Sequence, residues 1–485
     1  MTKTAIISEL RIKPGQALSV IAEQSAMLAA QSELIASQNA TIVSQGEAIS
    51  RLETLLGLKG VGKTSSNSHI PPSSDLARKN QSLRPKSDRP AGGQPGHKGI
   101  TLKMSDTPDS TVDLHPSFCN CCGLSLSGLP AVPVGRRQLI DIPPISPVVT
   151  EYRNFSVTCT CGHRQKADFP EGIANHVQYG ENIQSMVVYN SVYQLIPFLR
   201  LQYFFEQVAS LHIGKGTMEN MIRRSADKAQ GAYGTLRKAV EASRFVGSDE
   251  TGAKLGGGKM WFWVWQNEAV TYISAATSRS KQVIADNFPA GFPNAIICSD
   301  RLAAQLSTSS KGMQICLAHL LRDLNYLIET EKTAWATDFK ALLKDAMGLK
   351  RDRTHYPQND PRAMAIEAGA DKLLSQSLSE LGWTVGNQPK TITFRNSMAK
   401  LRHALFTFLY HADVPFDNNG SERAIRSIKV KTKISGQFKS LHGEFAVLRS
   451  VIGTAVKNGK PVYDAIRAIV AIPKPESVPC VIKSG

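Results

Sequence analysis

Phe245-Val-Gly-Ser-Asp249-Glu250-Thr251-Gly252, followed by Gly256-Gly257-Gly258, Met260-Trp261-Phe262-Trp263-Val264-Trp265 and Ala269-Val-Thr-Tyr-Ile-Ser274, is the stretch that decides the fold. Runs rich in β-branched and aromatic residues, broken by glycines, predict three strands in succession. A helix is predicted near residues 279–288, and a fourth strand over Ala295-Ile-Ile-Cys-Ser-Asp300. The first and the fourth strand both end on an aspartate. Asp249 and Thr251 share one face of their strand while Glu250 points to the other, which selects Asp249 over Glu250 as a ligand. Trp261, Trp263 and Trp265 alternate onto a single face and are predicted to be core rather than a platform for bases.

Far downstream, Phe416-Asp-Asn-Asn-Gly-Ser-Glu422-Arg-Ala-Ile-Arg426 opens a predicted helix with a carboxylate in its first turn. Two aspartates at strand ends and a later helical glutamate form a set that suits a pair of divalent cations. Hard cations take oxygen ligands, and two ions roughly 4 Å apart can activate an attacking oxygen and stabilise a leaving one in phosphodiester chemistry. Asp249, Asp300 and Glu422 are therefore the candidate catalytic residues and ligands for Mg²⁺ (or Mn²⁺). The order of elements is that of an RNase H-like nuclease core. Residues 301–421 exceed what one crossover needs, and helical periodicity over Thr333–Leu349 and Met364–Leu381 predicts a helical insertion.

Cations surround the predicted acids. Glu422, Arg426, Lys429 and Lys433 fall near one helix face with Arg423 beside them, an arrangement suited to a DNA backbone or, alternatively, to an ordinary solvated helix. Gln314-Ile-Cys316-Leu-Ala-His319-Leu-Leu-Arg322-Asp323 reads as a strand entering a helix, with His319 and Arg322 on one face. They can contact a phosphate or form a buried polar pair. Cys316 and His319 resemble half a metal site, but no second half is nearby and no zinc is assigned there.

The N-terminal half reads as accessory modules. Residues 22–56 repeat every seven, as AEQSAML, AAQSELI, ASQNATI, VSQGEAI and SRLETLL. Aliphatic residues recur at Ile21, Leu28, Ile35, Ile42, Ile49 and Leu56, and Gln at 24, 31, 38 and 45. A strict seven-residue period predicts a coiled coil for self-association, weakened by its glutamine seam; a helix packed on its own chain is the other reading. Gly57-Leu-Lys-Gly-Val-Gly62-Lys63-Thr64 spells a phosphate-binding loop, yet a helix precedes it where a strand is needed, so the match is read as accidental. Ser65–Lys103 is rich in Ser, Pro, Gly and basic residues, either a DNA-contacting arm or a plain linker.

Cys119-Asn-Cys121-Cys122-Gly and Cys159-Thr-Cys161-Gly-His163 supply two close thiol pairs, each followed by a glycine. Structural Zn²⁺ on Cys119, Cys122, Cys159 and Cys161 is the expectation, with Cys121, His115 or His163 as possible substitutes. Residues 180–240 read as helical. Within them Leu201–His212, a Gly214-Lys215-Gly216 turn and a second helix capped by Thr217 form a helix-turn-helix pattern, with Lys215 and Arg223 placed for DNA.

The chain has 57 Lys+Arg against 40 Asp+Glu, a formal charge of +17, which favours a polyanionic partner. No apolar run reaches about 18 residues, so no membrane span is predicted; the early Glu9 and short apolar start argue against a signal peptide. Eight cysteines in so long a chain fit a reducing compartment. The predicted fold class is multidomain α+β. Its parts are an N-terminal helix at 1–60, a basic linker at 61–110, a zinc-ribbon-like module at 111–175 and a helical DNA-binding region at 176–243. An RNase H-like α/β catalytic core follows at 244–324, its helical insertion at 325–410, its last helix at 411–440 and a C-terminal helical element at 441–485.

These residues closely resemble the DDE transposases of the bacterial insertion sequence 66 family, from about Pro71 to near Ile472. The resemblance is carried by Pro71-Pro-Ser-Ser-Asp75, Gly92-Gly-Gln-Pro-Gly-His97-Lys-Gly, the cysteine pairs, Asp141-Ile-Pro-Pro and Val149-Thr-Glu-Tyr152. Asp249-Glu-Thr, Cys316-x-Ala-His319 and Asp417-Asn-Asn-x-x-Glu422-Arg complete it. It implies a catalytic triad of Asp249, Asp300 and Glu422, a zinc-finger-like module, DNA ends and target DNA as partners, accessory proteins of the same element, and a place in the bacterial cytoplasm in association with the nucleoid. Ser299-Asp300-Arg301-Leu302 lacks the Gly-Tyr that the family often has after the aspartate, which bears on local packing there. Two rivals are an inert DNA-binding regulator and an ATPase built on Gly57–Thr64. Metal-dependent strand transfer separates the first from an enzyme, and activity without ATP or after Lys63→Ala dismisses the second.

Overall fold

Alternation along the strand that carries Asp249 divides the core in two. In the computed structural model, which describes residues 14–55, 96, 102–377 and 390–473, that strand is β3 (Phe245–Leu255). Phe245 joins a core cluster on one face of the sheet and Val246 a second cluster on the other. The neighbouring β6 (Phe292–Ser299) repeats the pattern, Ile296 and Cys298 facing one way and Ala295 and Ile297 the other. A strand buried on both faces needs helices on both, and the chain supplies them.

The sheet has five strands in the order β5-β4-β3-β6-β7. β3 turns through Gly256 and Gly257, at φ +55° and +89°, into antiparallel β4 (Gly258–Gln266). Side chains with a Cβ resist that left-handed backbone, so the glycines set the hairpin. β5 (Thr271–Ala276) continues antiparallel; β6 and β7 (Ser310–Ile315) then run parallel to β3. The parallel register pairs Gly247 with Cys298, so Asp249, two residues past that pair, lies beside Asp300, which follows the end of β6; β3 itself runs on to Leu255 against β4 rather than ending on the aspartate as expected.

One face is covered by α5 (Gln230–Glu241), α6 (Lys281–Asn287) and the single turn α7 (Ala303–Leu306), in one cluster with Trp263, Trp265, Tyr272 and Phe288. Trp263 and Trp265 are fully buried as predicted, whereas Trp261 is half-buried beneath the Arg279 guanidinium, 5.0 Å from its ring. The opposite face carries α8 (Leu317–Glu331), α9 (Ala334–Asp352), α10 (Pro361–Ser375), α11 (Lys390–Lys400) and the single turn α12 (Thr407–Tyr410). α9 to α12 fall within 325–410, where helical periodicity was expected, while α8 begins in the stretch expected as core; the helices pack around Trp335, Phe339, Phe406 and Phe408. α13 (Asn419–Ser435) runs along β3 and β4, and α14 (His442–Lys457) lies on the edge strand β5; α15 (Val462–Ala471) ends the described chain.

The remaining described residues are mostly helical or extended. α1 (Pro14–Leu55) is one helix of 42 residues, and every described side chain on it, 22–49, is exposed. β1 (Ser156–Thr158) and β2 (Arg164–Lys166) form a small antiparallel hairpin in a second compact unit, residues 102–169 and 202–214. α2 (Glu181–Val188) passes into a π-helical turn, Tyr189–Tyr193, followed by α3 (Phe198–Ala209) and α4 (Lys215–Lys228). α4 starts at Lys215, two residues before the expected Thr217 cap, which corrects that boundary. Cap preference is a weak signal when glycine at 216 tolerates either conformation. The Gly57–Thr64 loop, nearly all of Ser65–Lys103 and the motifs at 71–75 and 92–99 apart from Gly96 lie outside the described residues. No described helix is long and apolar enough to cross a membrane.

Candidate active site

Asp249, within β3, and Asp300, just after the end of β6, meet where the parallel pairing of the two strands stops. Together with Glu250 they offer carboxylate oxygens that all lie within 4.8 Å of one another, the one such cluster of acids, cysteines or histidines among the described residues. Asp249 Oδ1 accepts the Glu250 amide at 2.8 Å, and Asp300 Oδ1 accepts the Leu302 amide at 3.0 Å. Each carboxylate is thereby oriented by its own chain, with its second oxygen making no hydrogen bond among the described residues.

Glu250 is in the cluster but differently engaged. Its stem leaves on the opposite sheet face, where Arg279 Nε donates to Oε1 at 2.8 Å, Nη2 of the same guanidinium also pairs with Oε1, and Gln305 Nε2 donates to Oε2 at 2.9 Å. Strand alternation placed Glu250 away from the pair, and this is corrected: its carboxylate comes within 4.8 Å of both aspartates, beside the point where β6 stops and only β4 still pairs with β3. Both of its oxygens accept hydrogen bonds, Oε1 from Arg279 and Oε2 from Gln305. Neither Arg279 nor Gln305 was identifiable from sequence, since neither sits in a motif or near Glu250 in the chain.

The crowding of acids has an electrostatic consequence. Burial, then the Glu250 and Asp300 carboxylates, push Asp249 up to about 8, against the Glu250 amide and the Lys429 ammonium, which pull it down. Burial and Asp300 likewise raise Glu250, partly countered by Arg279 and Gln305. An all-oxygen donor set whose negative charge is penalised by burial and by its neighbours is a fit to a hard divalent cation, which would relieve both penalties.

Glu422 stands outside that cluster. It occupies the first turn of α13 as predicted, but its Oε1 lies 3.4 Å from Arg322 Nη2 and 3.7 Å from His319 Nε2, the latter a charged pair only if the imidazole is protonated. The expected phosphate contacts, His319 and Arg322, are therefore turned toward the third expected acid. Arg423, Arg426 and Lys429 are exposed on α13, whose Ser421, Ile425 and Ile428 face the sheet. Arg301, where the family often has glycine, pairs with Asp323 and covers the Phe394 ring at 5.3 Å, which accounts for the local packing after Asp300.

The other expected contacts are dispersed. Lys215 lies 3.5 Å and Arg223 3.7 Å from Glu219, with Glu444 3.8 Å from Arg223. Cys119 and Cys122 flank a turn closed by the Gly123 amide on the Cys119 carbonyl at 2.9 Å; the Gly162 amide closes the Cys159–Cys161 turn in the same way at 2.8 Å. Backbone hydrogen bonds from the facing residues, Cys122 first for Cys119 and Cys161 for Cys159, hold both thiols below their ordinary value. The two turns are alike, yet the described residues do not gather their thiols into one metal-sized cluster. Cys316, noted as half a metal site, instead accepts the Asn418 amide on its buried thiol at 3.2 Å. Burial pushes that thiol up to about 12.

Clustered carboxylates where the parallel pairing of β3 and β6 stops, beside a helix of exposed cations, are a donor set and a charge pattern suited to a divalent cation and a polyanion. The family model described as Transposase IS66 family matches residues 176–445, more than half of the chain, and the chain belongs to that family. Membership implies DNA as the partner and a divalent metal at the acidic site. No curated protein sequence matches the chain.

Proposed function

We propose that this chain is a DDE-type transposase that binds its element's ends, hydrolyses a phosphodiester to free a 3′-OH and directs that hydroxyl at target DNA. The observation that carries the reading is the Asp249–Asp300 pair, each with one oxygen making no hydrogen bond among the described residues, where the parallel pairing of β3 and β6 stops. The strand order, three antiparallel strands followed by two parallel ones, supports an RNase H-like core. Asp249, Asp300 and Glu422 would hold Mg²⁺ or Mn²⁺, with Glu422 leaving Arg322 and His319 to do so. Bound there, the ions lower the pKa of water and of the 3′-OH and offset charge on the leaving oxygen. Arg423, Arg426 and Lys429 hold the DNA backbone alongside, and Arg322 and His319, once released, can take a phosphate. Lys215 and Arg223 belong to a helical pair that would read the ends. Cys119, Cys122, Cys159 and Cys161 would bind a structural Zn²⁺, supported by the two matching glycine turns.

One observation favours a rival, an inert DNA-binding regulator: Glu422 is ion-paired rather than gathered with the aspartates. Divalent-metal-dependent cleavage of a labelled element end decides between them. Asp249→Asn is expected to abolish cleavage while end binding persists. Cleavage by that variant at the wild-type rate removes the mechanism.

A further inference from the structure

The Asp-Asn-Asn segment before Glu422 does something its residue types do not announce. Asn418 is the N-cap residue of α13, a position where a side-chain oxygen ordinarily accepts an amide of the first turn, yet it makes no such bond. Its Nδ2 instead donates to the Ser248 carbonyl at 2.7 Å, and its Oδ1 accepts the Ser421 hydroxyl at 2.7 Å. Ser248 directly precedes Asp249, and Glu422 directly follows Ser421. The bracket is shut off from water, with Asn418 3% and Ser421 0% exposed.

The surroundings leave no room for another arrangement. A Cβ on Gly247 would stand 2.5 Å from Gln266 Nε2, 2.8 Å from Ser421 Oγ and 2.9 Å from Asn418 Oδ1. Glycine at 247 is thus what allows the helix to approach the strand this closely. The backbone of the segment is fixed too, the Asn418 amide on Cys316 Sγ and the Phe416 carbonyl receiving the Leu317 amide at 2.8 Å. A helix that gives up its side-chain cap for a bond to a neighbouring strand exchanges local stability for register.

We propose that Asn418 is a positioning residue: it sets the helix of Glu422 against the strand of Asp249, so that Glu422 can complete the divalent-cation site. This rests on the proposed metal-dependent chemistry. Asn418 touches neither DNA nor cation; it acts through the backbone of Ser248 and the first turn of α13.

The test uses the full chain and compares Asn418→Ala, Ser421→Ala and Glu422→Gln with the wild type. Mn²⁺ titration without DNA, read by electron paramagnetic resonance, reports the site directly. Asn418→Ala is expected to lose Mn²⁺ affinity as Glu422→Gln does. In Mg²⁺-dependent cleavage it should lose about 100-fold in kcat at nearly unchanged KM, and Ser421→Ala about tenfold. Wild-type Mn²⁺ binding by Asn418→Ala, an unaltered affinity in Glu422→Gln, or a kcat within about threefold of the wild type overturns the role. Should Asn418→Ala fail to fold, Ser421→Ala carries the same two outcomes. If the wild type binds Mn²⁺ but cleaves nothing, the transposase reading fails, and the Mn²⁺ comparison still decides Asn418.

Discussion

Asp249 carries the largest electrostatic load of any single residue in the site, and this makes its effect on stability measurable. Its carboxyl is raised from 3.8 to about 8, by burial first and then by Glu250 and Asp300. Between those values the folded chain holds a proton that the unfolded chain has released, so stability falls as pH rises through that window. Without divalent cations, the wild type should therefore lose stability from about pH 4 to about pH 8 more steeply than Asp249→Asn, by a few kcal/mol over the window. Adding Mg²⁺ at the alkaline end should restore the wild type and leave the variant unmoved. Urea midpoints measured across pH for both proteins check this, and parallel slopes would show that the strain lies elsewhere. The same residue shows what a sequence can convey. Strand alternation puts the stems of Asp249 and Glu250 on opposite faces, because side-chain direction in a strand is local, but it does not show that the Glu250 carboxylate comes within 4.8 Å of both aspartates. It cannot say that Arg279 and Gln305 occupy both Glu250 oxygens, because those partners come from turns and helices 29 and 55 residues away.

At the level of elements, β3 runs on past Asp249, where the sequence ended it, to Leu255, but the glycine hairpin, the helix within Thr333–Leu349 and the Glu422 helix were legible, since each announces itself by its own period or turn residues. The position of the C-terminal helices was not. α14 reads as a generic amphipathic helix, but it closes the edge of the sheet with hydroxyls spaced one turn apart. Ser450 Oγ accepts the Ile273 amide at 2.8 Å and Thr454 Oγ1 the Thr271 amide at 3.1 Å. An open edge strand offers unpaired amides to other chains, and here two serine/threonine side chains cover them. Ser and Thr on a helix usually bond back to their own turn, as Ser450 also does to Ala446 at 2.7 Å, so nothing in the sequence separates this use from the ordinary one. Ser450→Ala leaves the Ile273 amide buried without an acceptor and should cost about 1–3 kcal/mol. Hydrogen exchange at Ile273 should quicken in proportion. A variant as stable as the wild type, with the Ile273 amide still protected, would mean that the edge is held by packing alone.

On the scale of the whole molecule, the N-terminal helix is an account left open by a single chain. Met27, Leu28, Leu34, Ile35, Ile42 and Ile49 are all more than half exposed on α1. Burying such side chains is worth about 1.5–3 kcal/mol each, and a long helix gains most of its stability from packing rather than from propensity. The seven-residue repeat puts these residues on one slowly turning stripe, which is the geometry a second helix of the same kind fills. The glutamines at 24, 31, 38 and 45 lie in the neighbouring positions, where they weaken the seam and narrow its choice of partner. A protein that joins two DNA ends gains from two copies held together, since the second end is then bound at a high effective concentration. Leu28→Asn with Ile35→Asn is accordingly expected to convert a dimer or larger oligomer into a monomer while the sheet core stays folded. Sedimentation equilibrium reads the first outcome and near-ultraviolet circular dichroism from Trp263 and Trp265 the second. A wild type that sediments as a monomer, or a double variant that remains associated, would show that this stripe does not hold copies together.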